Sequence, residues 1–272
     1  MLAPFDARLR AEVLARNKAA ALVGIPFRLT VIPPGPFPGF RSGFCRPLLA
    51  ATILGGRSQD RGEGECSSLD WNAAPARTLA EMLASEWEVQ HVVIDAAQMP
   101  LTMLANTIID GVTRSANEVA AEVGNYLACD LVLYRAEHPK GLIERQAAAW
   151  DPVLDWSQAV LGARFTVAHG MVHVAQPREA LCVARDAIPS APWLLGAIHA
   201  ITTLTGSALI ALALAGDAMS LTQAWLAANV DEDWNMEQWG RDALALDRRH
   251  RRFAEMRAAV EVLRAVRDGA TL

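Results

Sequence analysis

Residues 187–216, AIPSAPWLLGAIHAITTLTGSALIALALAG, run for thirty positions without a formal charge. A stretch of that length can cross a bilayer as a helix, so its reading decides between a membrane protein and a helical bundle. The segment carries Pro189, Pro192, His199, Thr202, Thr203, Thr205 and Ser207, with Gly196 and Gly206 inside it. It also lacks a basic flank of the kind that orients a span. The expectation is therefore a buried central helix of a bundle, with no stable membrane insertion.

The flanking sequence is helical in texture. Residues 177–187 and 219–229 read as helices, and a last helix is expected from about residue 247 to 267. There Phe253, Met256, Val260, Leu263 and Val266 share one side, while the RRHRR run, 248–252, faces solvent. Upstream, ARFTVAHGMVHVAQP (163–177) alternates around His169-Gly170 and predicts a two-stranded hairpin with a tight turn. In WDPVLDW (150–156), Asp151 occupies an expected N-cap and Pro152 the first helical position, where a missing N–H costs nothing. Pro100 precedes Leu101, Leu104, Ala105, Ile108, Ile109 and Val112, a spacing of three and four that makes one apolar stripe. Thr78 and Glu81 form an expected capping box ahead of Leu79, Met82, Leu83 and Trp87, which share a helix face.

Before Thr78 the texture changes. Residues 1–77 hold eight of the 14 prolines and eight of the 18 glycines, and only LVGIPFRLTVI (22–32) resembles a strand. Charge divides at the same place. Ten basic and six acidic residues give +4 for residues 1–77, while 15 basic and 24 acidic residues give −9 for the remainder. The reading is α+β: an N-terminal region, 1–77, and a larger, mostly helical domain, 78–272, with one short β-hairpin. The start, MLAPFDARLRAEVLARNKAAALVG, has no secretory apolar core, and Asp6 and Glu12 interrupt a transit-peptide pattern.

A net charge of −5 argues against general nucleic-acid affinity, and 52% hydrophobic residues can fill a core. Cys45, Cys66, Cys129 and Cys182 are too scattered for a zinc site and read as reduced thiols. His169 and His173, four apart, would pair as metal ligands on a helix, but the surrounding alternation favours strands and the HExxH glutamate is missing. Asp151 and Asp155 have the spacing of an acid/base pair, with capping and exposure as the simpler account. No GxGxxG, Walker A or GxSxG element occurs, so neither a cofactor nor a catalytic residue is expected. A small-molecule enzyme using Asp151, Asp155, His169 and His173 is the rival reading.

DEDWNMEQWG (231–240) is harder to place. If it continued LTQAWLAANV as one helix, Trp234 and Trp239 would point about 140° apart, and Asp233 and Glu237 would fall on the side of Leu226 and Val230. An unpaired carboxylate there would be costly. Either the helix breaks near Asp231, or this side is incompletely buried. The second case makes Glu232, Trp234, Glu237 and Trp239 a partner-binding patch, with indoles for contact area and carboxylates to orient a basic or amide-rich surface.

LAEMLASEWEVQ (79–90), MPLTMLANTIIDGV (99–112), DLVLYRAEHP (130–139), WDPVLDW, LGARFTVAHGMVHVAQP (161–177), TGSALIALALA (205–215) and DEDWNMEQWG occur in an order that resembles one family. It is the family of assembly chaperones for the alpha subunit of the soluble catalytic sector of ATP synthase, found in mitochondria and related bacteria. The resemblance runs from Thr78 to about Asp242. It implies a smaller β-rich N-terminal domain, a larger helical one, and a non-enzymatic, ATP-independent activity. In that activity the unassembled alpha subunit is held by a chaperone, expected to be a monomer, in a bacterial cytoplasm or mitochondrial matrix. The resemblance also implies a functional glutamate in the last motif, carried to Glu232 first and Glu237 second. Asn235, Met103, Arg241 and Leu244 depart from residues usual in the family. Residues 1–77 depart more widely. A diverged N-terminal domain accounts for this, as does translation in a shifted frame, in which case 1–77 does not fold compactly.

Overall fold

The computed structural model describes residues 27–32, 48–53, 75–90, 95–170 and 172–270. Strands β1 (Phe27–Ile32) and β2 (Leu48–Ile53) pair antiparallel, with Phe27 opposite Ile53 and Ile32 opposite Leu48. The expected strand 22–32 is thus seen over its last six residues. Its beginning, like most of 1–77, lies outside the described residues.

Among the described residues ten α-helices follow: α1 (Arg77–Glu88), α2 (Pro100–Thr107), α3 (Ala116–Tyr126), α4 (Lys140–Trp156), α5 (Arg178–Asp186), α6 (Pro192–Thr205), α7 (Ala208–Ala215), α8 (Leu221–Ala228), α9 (Val230–Trp239) and α10 (Ala243–Ala270). The α2 helix extends into a π turn at Ile108–Val112, and α4 into another at Ser157–Leu161. Two two-residue strands, β3 (Tyr134–Arg135) and β4 (Ala168–His169), pair parallel. The architecture is mostly helical with small β elements, as expected.

The uncharged stretch forms the centre. It folds as α6 and α7, of 14 and eight residues, broken at Gly206-Ser207. Among the described residues no helix is long and apolar enough to cross a membrane. Gly206 adopts a left-handed φ of 72°, open to glycine at little cost, and its N–H bonds the Thr202 carbonyl at 2.8 Å. Ser207 Oγ then caps α7 by accepting from the Ile210 N–H at 3.0 Å. Seven of the eight α7 residues are buried, and Gly196 lets α6 lie against Ile108 of the α2 extension. An all-round apolar helix of this kind fits only at the middle of a bundle.

Two carboxylates tie this core together. Asp130 is fully buried and accepts the Val132 N–H at 3.2 Å and the Leu209 N–H at 2.9 Å, so one side chain caps both a 3-10 turn and the start of α7. Burial raises its pKa to about 6, against the lowering effect of the hydrogen bonds it receives. Glu86 on α1 accepts from the Leu101 and Thr102 amides at 2.9 and 2.7 Å, capping α2 from another helix. Its pKa is raised mainly by burial.

Several expected details differ. The α1 helix begins at Arg77 with Ala76 as its N-cap and no side-chain cap, so Thr78 sits inside the first turn and does not cap it. Asp151 is likewise no N-cap: α4 starts at Lys140 and runs through Pro152. The preceding turns are anchored by Trp150, 1% exposed, whose Nε1 donates to the Ala227 carbonyl at 2.7 Å, and this packing carries the helix past the proline. Among the described residues of 163–177, β4 is the one strand and no hairpin partner follows it. β4 finds its partner in β3, some thirty residues earlier, while Gln176 bonds both the N–H and the carbonyl of Thr166 and holds the return segment without a strand.

Candidate functional site

The helix wheel left two options for DEDWNMEQWG, and the structure combines them. α8 stops at Ala228, Asn229 takes φ −115°, and α9 restarts at Val230. Asn229 Nδ2 bonds the Trp225 carbonyl at 2.7 Å, which satisfies a carbonyl freed at the break. Within α9 only Val230 is buried. Gly240, at φ 91°, ends the helix and turns the chain toward α10.

Each α9 carboxylate has a side-chain partner, two of them sharing one arginine. Asp231 accepts from Gln146 Nε2 at 2.7 Å. Glu232 and Asp233 both engage Arg249, at 3.3 and 2.6 Å, and Arg249 also lies over the Trp225 ring at 5.7 Å. One arginine of the RRHRR run therefore turns inward, against the expectation that the whole run is solvated. Glu237 pairs with Arg145 of α4 at 2.7 Å, and that hydrogen bond holds its carboxyl below the ordinary range. The same guanidinium stacks 4.9 Å above the Trp234 ring. Trp234 is half-buried and presses on α4 where Gly141 leaves room, since a Cβ there would come within 2.9 Å of the indole. Trp239, at the far end, is 80% exposed. The four expected site residues thus share one short helix, but not one role. Trp234, Glu232 and Glu237 fasten α9 to its neighbours, while Trp239 is displayed.

Sequence reasoning missed the groove beside this helix. A cleft of about 480 Å³ opens between α4, α8 and α9. Ala148, Ala149, Pro152 and Ala227 make a floor of small side chains, and Leu226, Val230 and Met236 form walls, with Arg145, Asp233, Glu237 and Arg241 at the margin. Leu226 is 52% exposed because the opposite face of α8, Ala224 and Trp225, already fills the core. The readable signal was the small residues Ala148, Ala149 and Pro152 spaced along α4, but only the break at Asn229 brings α9 alongside them. A second cleft, of about 520 Å³, lies between Tyr134, His138, Leu142, Gly170 and Asp231.

The residues of the rival enzyme reading do not converge. Asp151 is in an ion pair with Arg135 at 2.7 Å, Asp155 is exposed one turn on, and His169 and His173 lie exposed on β4 and the following loop. None of the four lines either cleft. Among the described residues no cluster of His, Cys, Asp and Glu could hold a metal ion.

Comparison with known proteins gives these features a context. The chain aligns with the crystal structure of the Atu1473 protein from Agrobacterium tumefaciens, described as a candidate chaperone. The identity is 44% and the TM-score 0.68, over 71% of this chain and 73% of the other. It aligns with Atp12 from Paracoccus denitrificans at 32% identity and a TM-score of 0.69, over 80% of this chain and 91% of that one. A single-residue mutant of the latter matches equally, with a TM-score of 0.68 and 92% of its length covered. The class defined here is that of a helical chaperone, and the enzyme reading gives way to it. A family model described as ATP12 chaperone protein matches residues 69–158, starting ahead of Thr78. The chain belongs to the ATP12 chaperone family.

Proposed function

We propose that this chaperone serves assembly of the soluble catalytic sector of ATP synthase by holding the unassembled alpha subunit, without consuming nucleotide. The observation that carries the reading is Trp239, a large indole 80% exposed at the end of an acidic helix beside an open apolar groove. A holdase needs an accessible apolar surface with a polar rim, and tryptophan is the residue that most often concentrates binding energy at such surfaces. Glu232, Trp234 and Glu237 set the position of the helix that presents it.

Isolated alpha subunit should aggregate more slowly in the presence of the protein, as measured by light scattering; unchanged aggregation removes the reading. Co-purification with the alpha subunit should weaken on Glu232→Lys. Because Glu232 pairs with Arg249, this variant places two cations together, and Glu232→Gln is needed beside it to separate lost contact from a displaced helix.

A further inference from the structure

We infer that the groove between α4, α8 and α9 receives an amphipathic helix of the client, which sets a carboxylate against Arg241. The inference rests on the chaperone reading and goes further by specifying what occupies the site.

The shape of the groove is suited to inserted side chains. Its floor of Ala148, Ala149 and Ala227 leaves room for bulky groups, its Leu226 and Met236 walls are apolar, and about 480 Å³ lies in the range that binding clefts occupy. Methionine adapts its shape to different side chains, which suits a wall that must accept an incompletely folded partner. The occupant's backbone follows from the walls. All three are helices, whose peptide groups are bonded along their own axes. An extended client strand would find no ladder of partners and would bury its own N–H and C=O groups unsatisfied. A helix satisfies its backbone internally and needs to offer only its apolar face, through side chains at i, i+3, i+4 and i+7. One exception lies on the floor: Pro152 has no N–H to give the Ala148 carbonyl four residues earlier, so that acceptor can take a donor from a client side chain.

Charge fixes the rim. By sequence α9 is acidic and suggests a basic client, but both acids that line the groove already have an arginine partner, Asp233 sharing its own with Glu232. Asp233 engages Arg249 at 2.6 Å and Glu237 engages Arg145 at 2.7 Å. Arg241 acts on Glu237 through space but forms no ion pair within 4 Å among the described residues. Of the four charged side chains that line the groove, Arg241 alone has no ion-pair partner among the described residues, and a carboxylate complements it locally.

The test uses full-length protein and purified alpha subunit. Ala148→Trp fills the floor from an exposed position and should weaken capture about tenfold, and Arg241→Glu should weaken it about threefold or more. Both should leave the far-UV spectrum and thermal midpoint of the free chaperone unchanged. Should Ala148→Trp disturb the fold, Arg241→Glu, on an exposed linker, carries the test alone. A photoreactive side chain at position 148 should cross-link to a client segment that is helical and bears an acidic residue. If both variants capture the alpha subunit as wild type does, or if the cross-link maps to a strand, the groove assignment is overturned while the holdase reading stands. If wild type fails to protect the alpha subunit, the reading and the groove fall together. A wild-type dimer in sedimentation that Ala148→Trp converts to monomer would give the groove to a second copy of this chain and overturn the inference.

Discussion

The uncharged stretch 187–216 and the charged decapeptide 231–240 are both anomalies in the sequence, and the molecule treats them in opposite ways. In α6 seven of 14 residues and in α7 seven of eight are buried, and the polar groups at the break are bonded by Gly206, Ser207 and Asp130. In α9 a single residue is buried and side-chain pairs do the fastening. Burial of apolar surface and satisfied amides make the first region hard to open, whereas exposed ion pairs hold the second only weakly. Local stability differs across a structure in this way, and segments that engage partners tend to come from its weaker end.

The largest effect on this contrast should come from Asp130→Ala. Removing the carboxylate leaves buried amides at two helix starts without acceptors, and the expected loss is about 2–4 kcal/mol in denaturant unfolding. Asp130 also predicts a pH dependence. Its pKa is raised to about 6 in the folded chain from an ordinary 3.8, so its contribution to stability is complete below about 3.8 and is lost as pH rises through about 6. In Asp130→Asn that fall should flatten, and a midpoint of unfolding that still declines as steeply from pH 4 to 6.5 would show that the slope comes from elsewhere.

Gly196→Ala should rank next. A Cβ at 196 would lie 2.4 Å from Ile108 Cγ1, and overpacking at the centre should cost about 1–3 kcal/mol. Equal stability of the variant would mean that α6 and the α2 extension separate easily, contrary to a sealed core.

Arg145→Ala addresses the weaker region. It removes both the Glu237 ion pair and the stacking on Trp234. Amide hydrogen exchange should accelerate across α9 and stay unchanged in α6 and α7, and high salt should mimic the substitution in wild type. The smallest effect on stability is expected for Trp239→Ala, within about 0.5 kcal/mol, because the indole packs on little. Capture of the alpha subunit should nevertheless fall about tenfold, measured by co-purification, and undiminished capture would remove Trp239 from the docking surface.

The helices were legible where periodicity and burial agree. Leu79, Leu83 and Trp87 of α1, and Leu101, Ala105, Ile108 and Val112 of the α2 region, are the buried residues that the spacing marks. The same holds for Met256, Val260 and Leu263 of α10. Signals depending on one residue's local preference did worse. Pro152 reads as a helix start, but packing of Trp150 carried α4 through it. The alternation around His169 reads as a hairpin, but a strand of two residues pairs with whatever edge lies nearest, and that edge was Tyr134–Arg135.

The sequence alone determined that the chain would bury its uncharged segment within a helical bundle, because prolines, hydroxyls and glycines suit a packed interior better than lipid. It also determined that 231–240 could not lie flat on a core, since its tryptophans and carboxylates point in incompatible directions on any single helix. Tertiary structure decided which charges were left over. Arg145 comes from a helix far upstream and Arg249 from the helix that follows α9, and their meeting with Glu237, Glu232 and Asp233 depends on the break at Asn229. The groove exists for the same reason: its small floor residues and its walls belong to three helices that only packing brings side by side, and pairings across such distances leave no periodic trace in the chain.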